Sequence, residues 1–262
     1  MSYFLIILAA LFVSTLTFFS GFGLGTLLMP VFALFFPLDV AVAATAIVHL
    51  ANNLFKVFLV GKKAHLKTVL VFGLLAVLFS LLGAVLLNYL SDIQPIYQYN
   101  FGEKIYKIEI IKVVIAFLLI IFSFFELIPK FREMTFGRKF LALGGSLSGF
   151  FGGLSGQQGA LRAAFLSKVG LEKEQFVGTS VVSSVLVDIS RLLVYGLYFM
   201  NNDVELFHDQ TIVLLIILGT VSAFLGSFVG MKLLKKVTFK SMQLLMGVLL
   251  IIVAVLLGFG II

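Results

Sequence analysis

Apolar runs of about 20 residues, long enough to cross the roughly 30 Å of bilayer hydrocarbon as helices, recur along the whole chain and leave no room for a soluble domain. A backbone N–H or C=O without a partner costs several kcal/mol in hydrocarbon, so lipid-exposed segments of this kind close their hydrogen bonds internally. With 61% hydrophobic and 12% charged residues and a mean hydropathy of +1.18, the chain also lacks the polar surface of a water-soluble fold. The expectation is an all-α integral membrane protein in which residues 1–262 form a single domain. The opening MSYFLIILAALFV has no basic n-region and reads as a retained membrane segment. With no cysteine, disulfides, thiol catalysis and thiolate metal sites are excluded, and three scattered histidines give no reason to expect a metal or other cofactor.

Apolar runs and their punctuation predict helices over 3–20, 26–36, 39–60, 67–90, 109–128, 140–155, 157–168, 173–200, 210–233 and 241–261. The formal charge of +7 is concentrated in short loops beside these runs. The groups are Lys62, Lys63 and Lys67; Lys130, Arg132, Arg138 and Lys139; and Lys232, Lys235, Lys236 and Lys240. The positive-inside rule makes these loops cytoplasmic and accounts for the charge without a nucleic-acid partner. Residues 201–209 carry Asp203, Glu205 and Asp209 with no Lys or Arg, and 91–107 balances Asp92 and Glu103 against Lys104 and Lys107, so both are expected to face outward.

An odd number of crossings must separate an inside loop at 130–139 from an outside loop at 201–209. The helix over 173–200 supplies one, so 140–155 and 157–168 form a hairpin that returns to the cytoplasm. By the same count 3–20 and 26–36 form a hairpin that returns outward. The expected architecture is about eight transmembrane segments, two glycine-broken hairpins plus six full crossings, in two inverted-topology repeats over about 1–129 and 139–262. Setting Ala44-Thr45-Ala46 against Gly178-Thr179-Ser180 brings Gly25 opposite Gly159 and Lys56 within one position of Arg191. Chance similarity of glycine-rich apolar sequence is the alternative.

The hairpins carry the segments GFGLGTLLMP, Gly21 to Pro30, and GFFGGLSGQQGALR, Gly149 to Arg162. Paired interruptions in corresponding places of two halves point to a transport site. Arg162 follows Gln157, Gln158 and Gly159 at the start of a half-helix, where free N–H groups and a guanidinium suit an oxyanion. In the first half Gly21, Gly23, Gly25 and Thr26 would supply the matching helix start without a cation. Glycine also serves close helix packing in membranes, which is the competing explanation for each of these positions.

Ionisable groups inside spans are costly and call for a partner or a role. His49, Asn52, Asn53 and Lys56 share one helix face, although Lys56 near the helix end also fits snorkelling to the interface. Thr179, Ser180, Ser183, Ser184, Asp188 and Arg191 form a longer stripe. Asp188 and Arg191 are spaced for an ion pair that either locks the helix into the bundle or helps hold and gate an anion. Glu126 is expected at the cytoplasmic interface, and Tyr97, Tyr99, Tyr106 and Tyr198 in an outer aromatic belt; the 30 Phe residues read as lipid-facing or core filler. No Walker, HExxH or Ser/His/Asp pattern supports catalysis, so an enzyme is not expected.

These motifs together resemble the TauE/SafE family of sulfite exporter-like permeases over nearly the whole length. The resemblance rests on GFGLGTLLMP, the following AVAATA, the turn GKKAHLK, and the second copy GGLSGQQGALRAAF with VGTSVV. It implies a multi-pass carrier of the inner (plasma) membrane that moves sulfite, sulfonates or other sulfur-containing anions. On this basis the chain is expected to be a secondary carrier of small anions, with the hairpin tips meeting near the midplane and the halves rocking to alternate access. The site would be lined by Gly21, Gly23, Gly25, Thr26, Gln157, Gln158, Gly159 and Arg162, with gating or coupling by His49, Asn52, Asn53, Lys56, Asp188 and Arg191. Protons are a candidate coupling ion through Asp188 or His49; lipid is a partner, and a homo-oligomer is left open. The alternatives are a carrier of a cation or neutral solute coordinated by unwound carbonyls and Asp188, and a non-transporting membrane subunit.

Overall fold

The computed structural model describes residues 2–17, 24–132, 134–202, 210–233 and 239–262. Its helices are α1 (Ser2–Thr17), α2 (Leu24–Ala33), α3 (Leu38–Val60), α4 (Leu66–Ser91), α5 (Ile110–Leu127), α6 (Leu141–Ser155), α7 (Gly159–Leu166), α8 (Lys173–Asn202), α9 (Gln210–Leu233) and α10 (Phe239–Gly258). Among the described residues α3, α4, α5, α8 and α9 are long and apolar enough to cross a bilayer, and α1 and α10 hold shorter apolar stretches over Phe4–Thr15 and Gly247–Gly258. The chain is a multi-pass membrane protein. With 10 and 8 residues, α2 and α7 reach only about 15 and 12 Å, half the hydrocarbon thickness. Polarity runs opposite to a soluble fold: Phe58, Leu74, Leu193 and Leu197 are exposed, whereas His49, Arg162, Asp188 and Arg191 are buried.

Two packing groups interleave the halves of the chain. In one, α1 lies along α9, and α2 and α3 complete the group; in the other, α6 lies along α4 with α7 and α8. The groups meet where α3 packs on α8, and α5 pairs with α10. Small residues set the closest approach. Had Gly145, Gly149 and Gly153 a Cβ, it would stand 2.3, 2.1 and 2.1 Å from the carbonyl oxygens of Phe72, Ala76 and Ser80. Spaced by four residues, these glycines form one stripe of α6 on which the α4 backbone rests. The equivalent contact of α1 on α9 uses Gly226, whose Cβ would meet the Leu11 carbonyl at 2.3 Å. Ser14 Oγ strengthens it by donating to the Ala223 carbonyl at 2.5 Å and lying 2.7 Å from Ser227 Oγ.

This packing corrects the glycine-rich segment that begins at Gly149. Helix α6 runs unbroken through Gly149, Gly152 and Gly153, and the interruption falls at Gly156, whose φ of +78° ends the helix in the left-handed conformation that glycine tolerates. The Gly156 N–H still donates to the Gly152 carbonyl at 3.0 Å. Gly21 and Gly23 of the first break, the acidic stretch 203–209 and the basic residues Lys235 and Lys236 lie outside the described residues.

Charge segregates to the two ends. Lys63 pairs with Glu174 at 3.3 Å, Lys67 and Arg138 line one crevice, and Gly137 bridges to Lys168, so the basic loops at 62–67 and 130–139 gather at one end. At the other end residues 91–107, expected as a plain loop, contain an antiparallel hairpin of β1 (Tyr97–Phe101) and β2 (Lys104–Ile108). Three of the four tyrosines expected in an outer aromatic belt build it. Tyr99 faces Tyr106 with ring centroids 5.3 Å apart, Tyr97 stacks on Tyr99, and Gly102 at φ +63° makes the turn. Tyr99 donates to the Phe259 carbonyl at 2.8 Å and Tyr198 to Asp92, which ties the hairpin end of α4 to the ends of α10 and α8. Glu126 is buried and not interfacial, and α10 packs beside it: a Cβ on Gly247 would stand 3.3 Å from the Glu126 Cβ.

The stripe yields a paired test. Gly149→Ala is expected to lower stability by about 1–3 kcal/mol through overpacking against Ala76. Gly196→Ala on α8, where nothing lies within 4 Å of the added carbon, is expected to stay within about 0.5 kcal/mol of the parent. Thermal melting of the two purified variants in detergent separates them.

Candidate functional site

Where α3 crosses α8, the two polar stripes face each other in the middle of the molecule. Asp188 is fully buried, and a buried carboxylate persists only with donors on both oxygens. Its Oδ1 accepts from Arg191 Nη2 at 2.8 Å and Nε at 3.1 Å, and from Gln158 Nε2 at 3.0 Å. Its Oδ2 lies 2.7 Å from His49 Nδ1 and accepts from Asn53 Nδ2 at 3.3 Å. A neutral His49 therefore carries its proton on Nδ1, donated to the carboxylate.

The turn between α6 and α7 extends the network. Gln158 gives its amide nitrogen to Asp188, and its Oε1 accepts from Arg162 Nη1 at 2.9 Å. Arg162 Nε donates to Ser180 Oγ at 2.8 Å, and Ser148 Oγ holds the Gln158 carbonyl at 2.9 Å. Arg191 reaches the same turn, donating from Nη1 to the Gly152 carbonyl at 3.2 Å, and a Cβ on Gly156 would stand 3.2 Å from that nitrogen. Tyr195 closes the far side with its hydroxyl on the Gly153 carbonyl. The second break is thus shaped by its glycines to admit a guanidinium.

The first break arrives at the same point. A Cβ on Gly25, in the first turn of α2, would lie 3.4 Å from the Gly156 carbonyl oxygen and 3.8 Å from His49 Cδ2. The starts of the half-helices α2 and α7 therefore converge on one cluster, each with the positive end of its dipole and its unpaired first N–H groups. Thr26 lies in that first turn of α2, Gly159 opens α7, and Gln157 is buried beside it.

The four polar residues of α3 divide. His49 and Asn53 touch Asp188. Lys56, for which snorkelling was an option, is only 8% exposed and lies within electrostatic reach of Arg162. Asn52 turns away, its Oδ1 accepting from Ser227 Oγ at 2.7 Å, and so belongs to the seam of α1 and α9. Asp188 and Arg191 form the ion pair their spacing suggested. Five participants went unassigned from the sequence: Ser180, Ser148, Tyr195, Gly156 and the Gly152 carbonyl. Ser180 lies two turns before Asp188 on the same stripe, a usable signal; Gly156 and the Gly152 carbonyl depend on where α6 ends.

Among the described residues the cluster holds the buried guanidiniums of Arg162 and Arg191 and the ammonium of Lys56, and one carboxylate, Asp188. Chemically it is a desolvated donor array with an excess of positive charge, suited to holding an anion.

A family model described as Sulfite exporter TauE/SafE matches residues 6–257. No curated protein and no solved structure matches the chain.

Removing one member of a buried ion pair leaves the other uncompensated. Asp188→Ala is expected to destabilise the protein by about 3–5 kcal/mol, and Asp188→Leu combined with Arg191→Met to recover much of that loss. Chemical unfolding of both variants measures the difference.

Proposed function

The chain belongs to the sulfite exporter TauE/SafE family, a family of membrane transporters and not of enzymes, and we propose from that premise that it carries small sulfur-containing anions by alternating access. Sulfite and organosulfonates are the substrates in view. The observation that carries this reading is the burial of Arg162 and Arg191 around a single carboxylate, at the point where two half-helix starts meet. An oxyanion there would meet two buried guanidiniums and the positive ends of two half-helices. Arg162, Gln157, Gln158, Gly159, Gly25 and Thr26 are assigned to substrate, together with Gly21 and Gly23 ahead of them.

The packing supports an inverted repeat of about eight segments. Exchanging the halves maps α1 on α9 to α6 on α4, maps α2 with α3 to α7 with α8, and leaves the α3–α8 and α5–α10 contacts in place. The bodies that rock are then the two interleaved groups and not the sequence halves, with the polar cluster on the boundary between them. The basic end faces the cytoplasm of a cell whose inner membrane holds the protein. A cation carrier is less well served, because both oxygens of Asp188 are already engaged by donors.

In proteoliposomes, saturable uptake of radiolabelled sulfite is expected, with Arg162→Ala weakening apparent affinity about 10- to 100-fold, the range for a lost charged hydrogen bond. Uptake of sodium or an amine, uncompeted by sulfite, would establish a cation carrier instead. The cysteine-free sequence suits a topology test. Lys63→Cys is expected to react with an impermeant maleimide from the cytoplasmic side only, and Glu103→Cys from the outer side only.

A further inference from the structure

The His49–Asp188 pair is the place where the two packing groups touch through side-chain chemistry at the core. Arg191, Gln158, Ser180 and Tyr195 bond within the group of α4, α6, α7 and α8, where Arg162 also meets Gln158 and Ser180. Asn52, Ser227 and Ser14 do so within the group of α1, α2, α3 and α9. His49 and Asn53 instead reach across to Asp188. Building on the anion-carrier reading, we infer that the His49–Asp188 pair is the proton site of this transporter, and that it binds a proton together with the anion.

With Nδ1–H donated to Asp188, a neutral His49 has one further basic atom, Nε2, so the pair takes up one proton and becomes a neutral imidazolium–carboxylate unit. Among the described residues the charged groups acting on His49 are Asp188 and Arg191 from α8 and Arg162 from α7, with Lys56 two turns along its own helix and within reach of Arg162. Helix α2 presents Gly25, which has no side chain, and α9 presents Ser227 to the neighbouring Asn52. When the pair is protonated, Asp188 no longer offsets Arg191, and the field at Arg162 and Arg191 favours an anion. Conversely, an anion beside those guanidiniums removes much of the repulsion that opposes a proton on His49. The two ligands therefore help each other bind, and by linkage the help is equal in both directions. A proton on His49 also changes a clasp that joins the two groups, so loading and movement share a switch.

The test adds thiosulfate or methanesulfonate, both fully ionised near neutral pH, to the purified full chain in weak buffer with a pH-indicator dye. Affinity is followed by calorimetry across a pH series. The expected result is uptake of up to about one proton per anion bound, with affinity strengthening by up to about tenfold for each unit the pH is lowered. His49→Gln keeps an N–H donor for Asp188 but takes no proton. It is expected to abolish proton uptake and to fix affinity at the alkaline limit of the parent. Anion binding by the parent with pH-independent affinity and no proton uptake overturns the proton site while leaving the carrier intact, as does undiminished proton uptake in His49→Gln. If neither probe nor sulfite binds at any pH, the anion-carrier reading itself fails and this inference with it.

Discussion

A carboxylate without water around it must be given donors, and the centre of this protein is organised by how Asp188 obtains them. Its oxygens draw on α3, α8 and the turn before α7, so one side chain fixes three elements relative to each other. The turn can take part only because α6 ends at Gly156, and α6 reaches that point only because its glycine stripe lets it lie against the α4 backbone. Packing and polarity are therefore linked. The small residues bring backbones close enough for a half-helix to stop at the middle of the molecule, and the ionic cluster makes use of the stop.

Helices were legible from the sequence because hydrocarbon leaves the backbone few choices. The ten predicted segments correspond to α1–α10 with ends displaced by a few residues, and the basic loops at 62–67 and 130–139 share one end. Charge read correctly where burial forced it, as at Asp188 and Arg191, whose spacing gave their pairing. What the sequence hid was the job of each glycine. Gly149, Gly153 and Gly156 look alike in a string, yet two serve packing and one ends a helix, and only the position of the neighbouring α4 backbone distinguishes them.

Partners from distant elements were similarly out of reach. His49 and Asp188 were each noticed as isolated groups, 139 residues apart, and nothing local announces that they meet at 2.7 Å. Glu126 misled because nearness to a helix end suggests an interface, whereas it is buried, with Gly247 of another helix packed beside it. The hairpin over Tyr97–Ile108 was missed for a related reason: outside the hydrocarbon a short polar stretch regains access to strands, and its cross-strand tyrosines matter only once the turn at Gly102 brings them together.

The two halves are similar in packing and unlike in charge, and that difference bears on how such a molecule works. In the alignment that sets Gly25 opposite Gly159, buried Leu28 stands opposite Arg162, so guanidiniums come from the second half alone. The first half contributes a glycine backbone at Gly25 and the titratable ring of His49. An anion held by Arg162 and Arg191 would thus stay with the group of α4, α6, α7 and α8, whose internal hydrogen bonds need not break as it moves. On the proposed rocking motion the bonds from His49 and Asn53 would change, because among the described residues these join Asp188 to the opposite group. If the groups rock as proposed, a titratable residue on their boundary, with the guanidiniums on one side of it, would let proton occupancy act on the bonds between the groups and leave those of Arg191 in place.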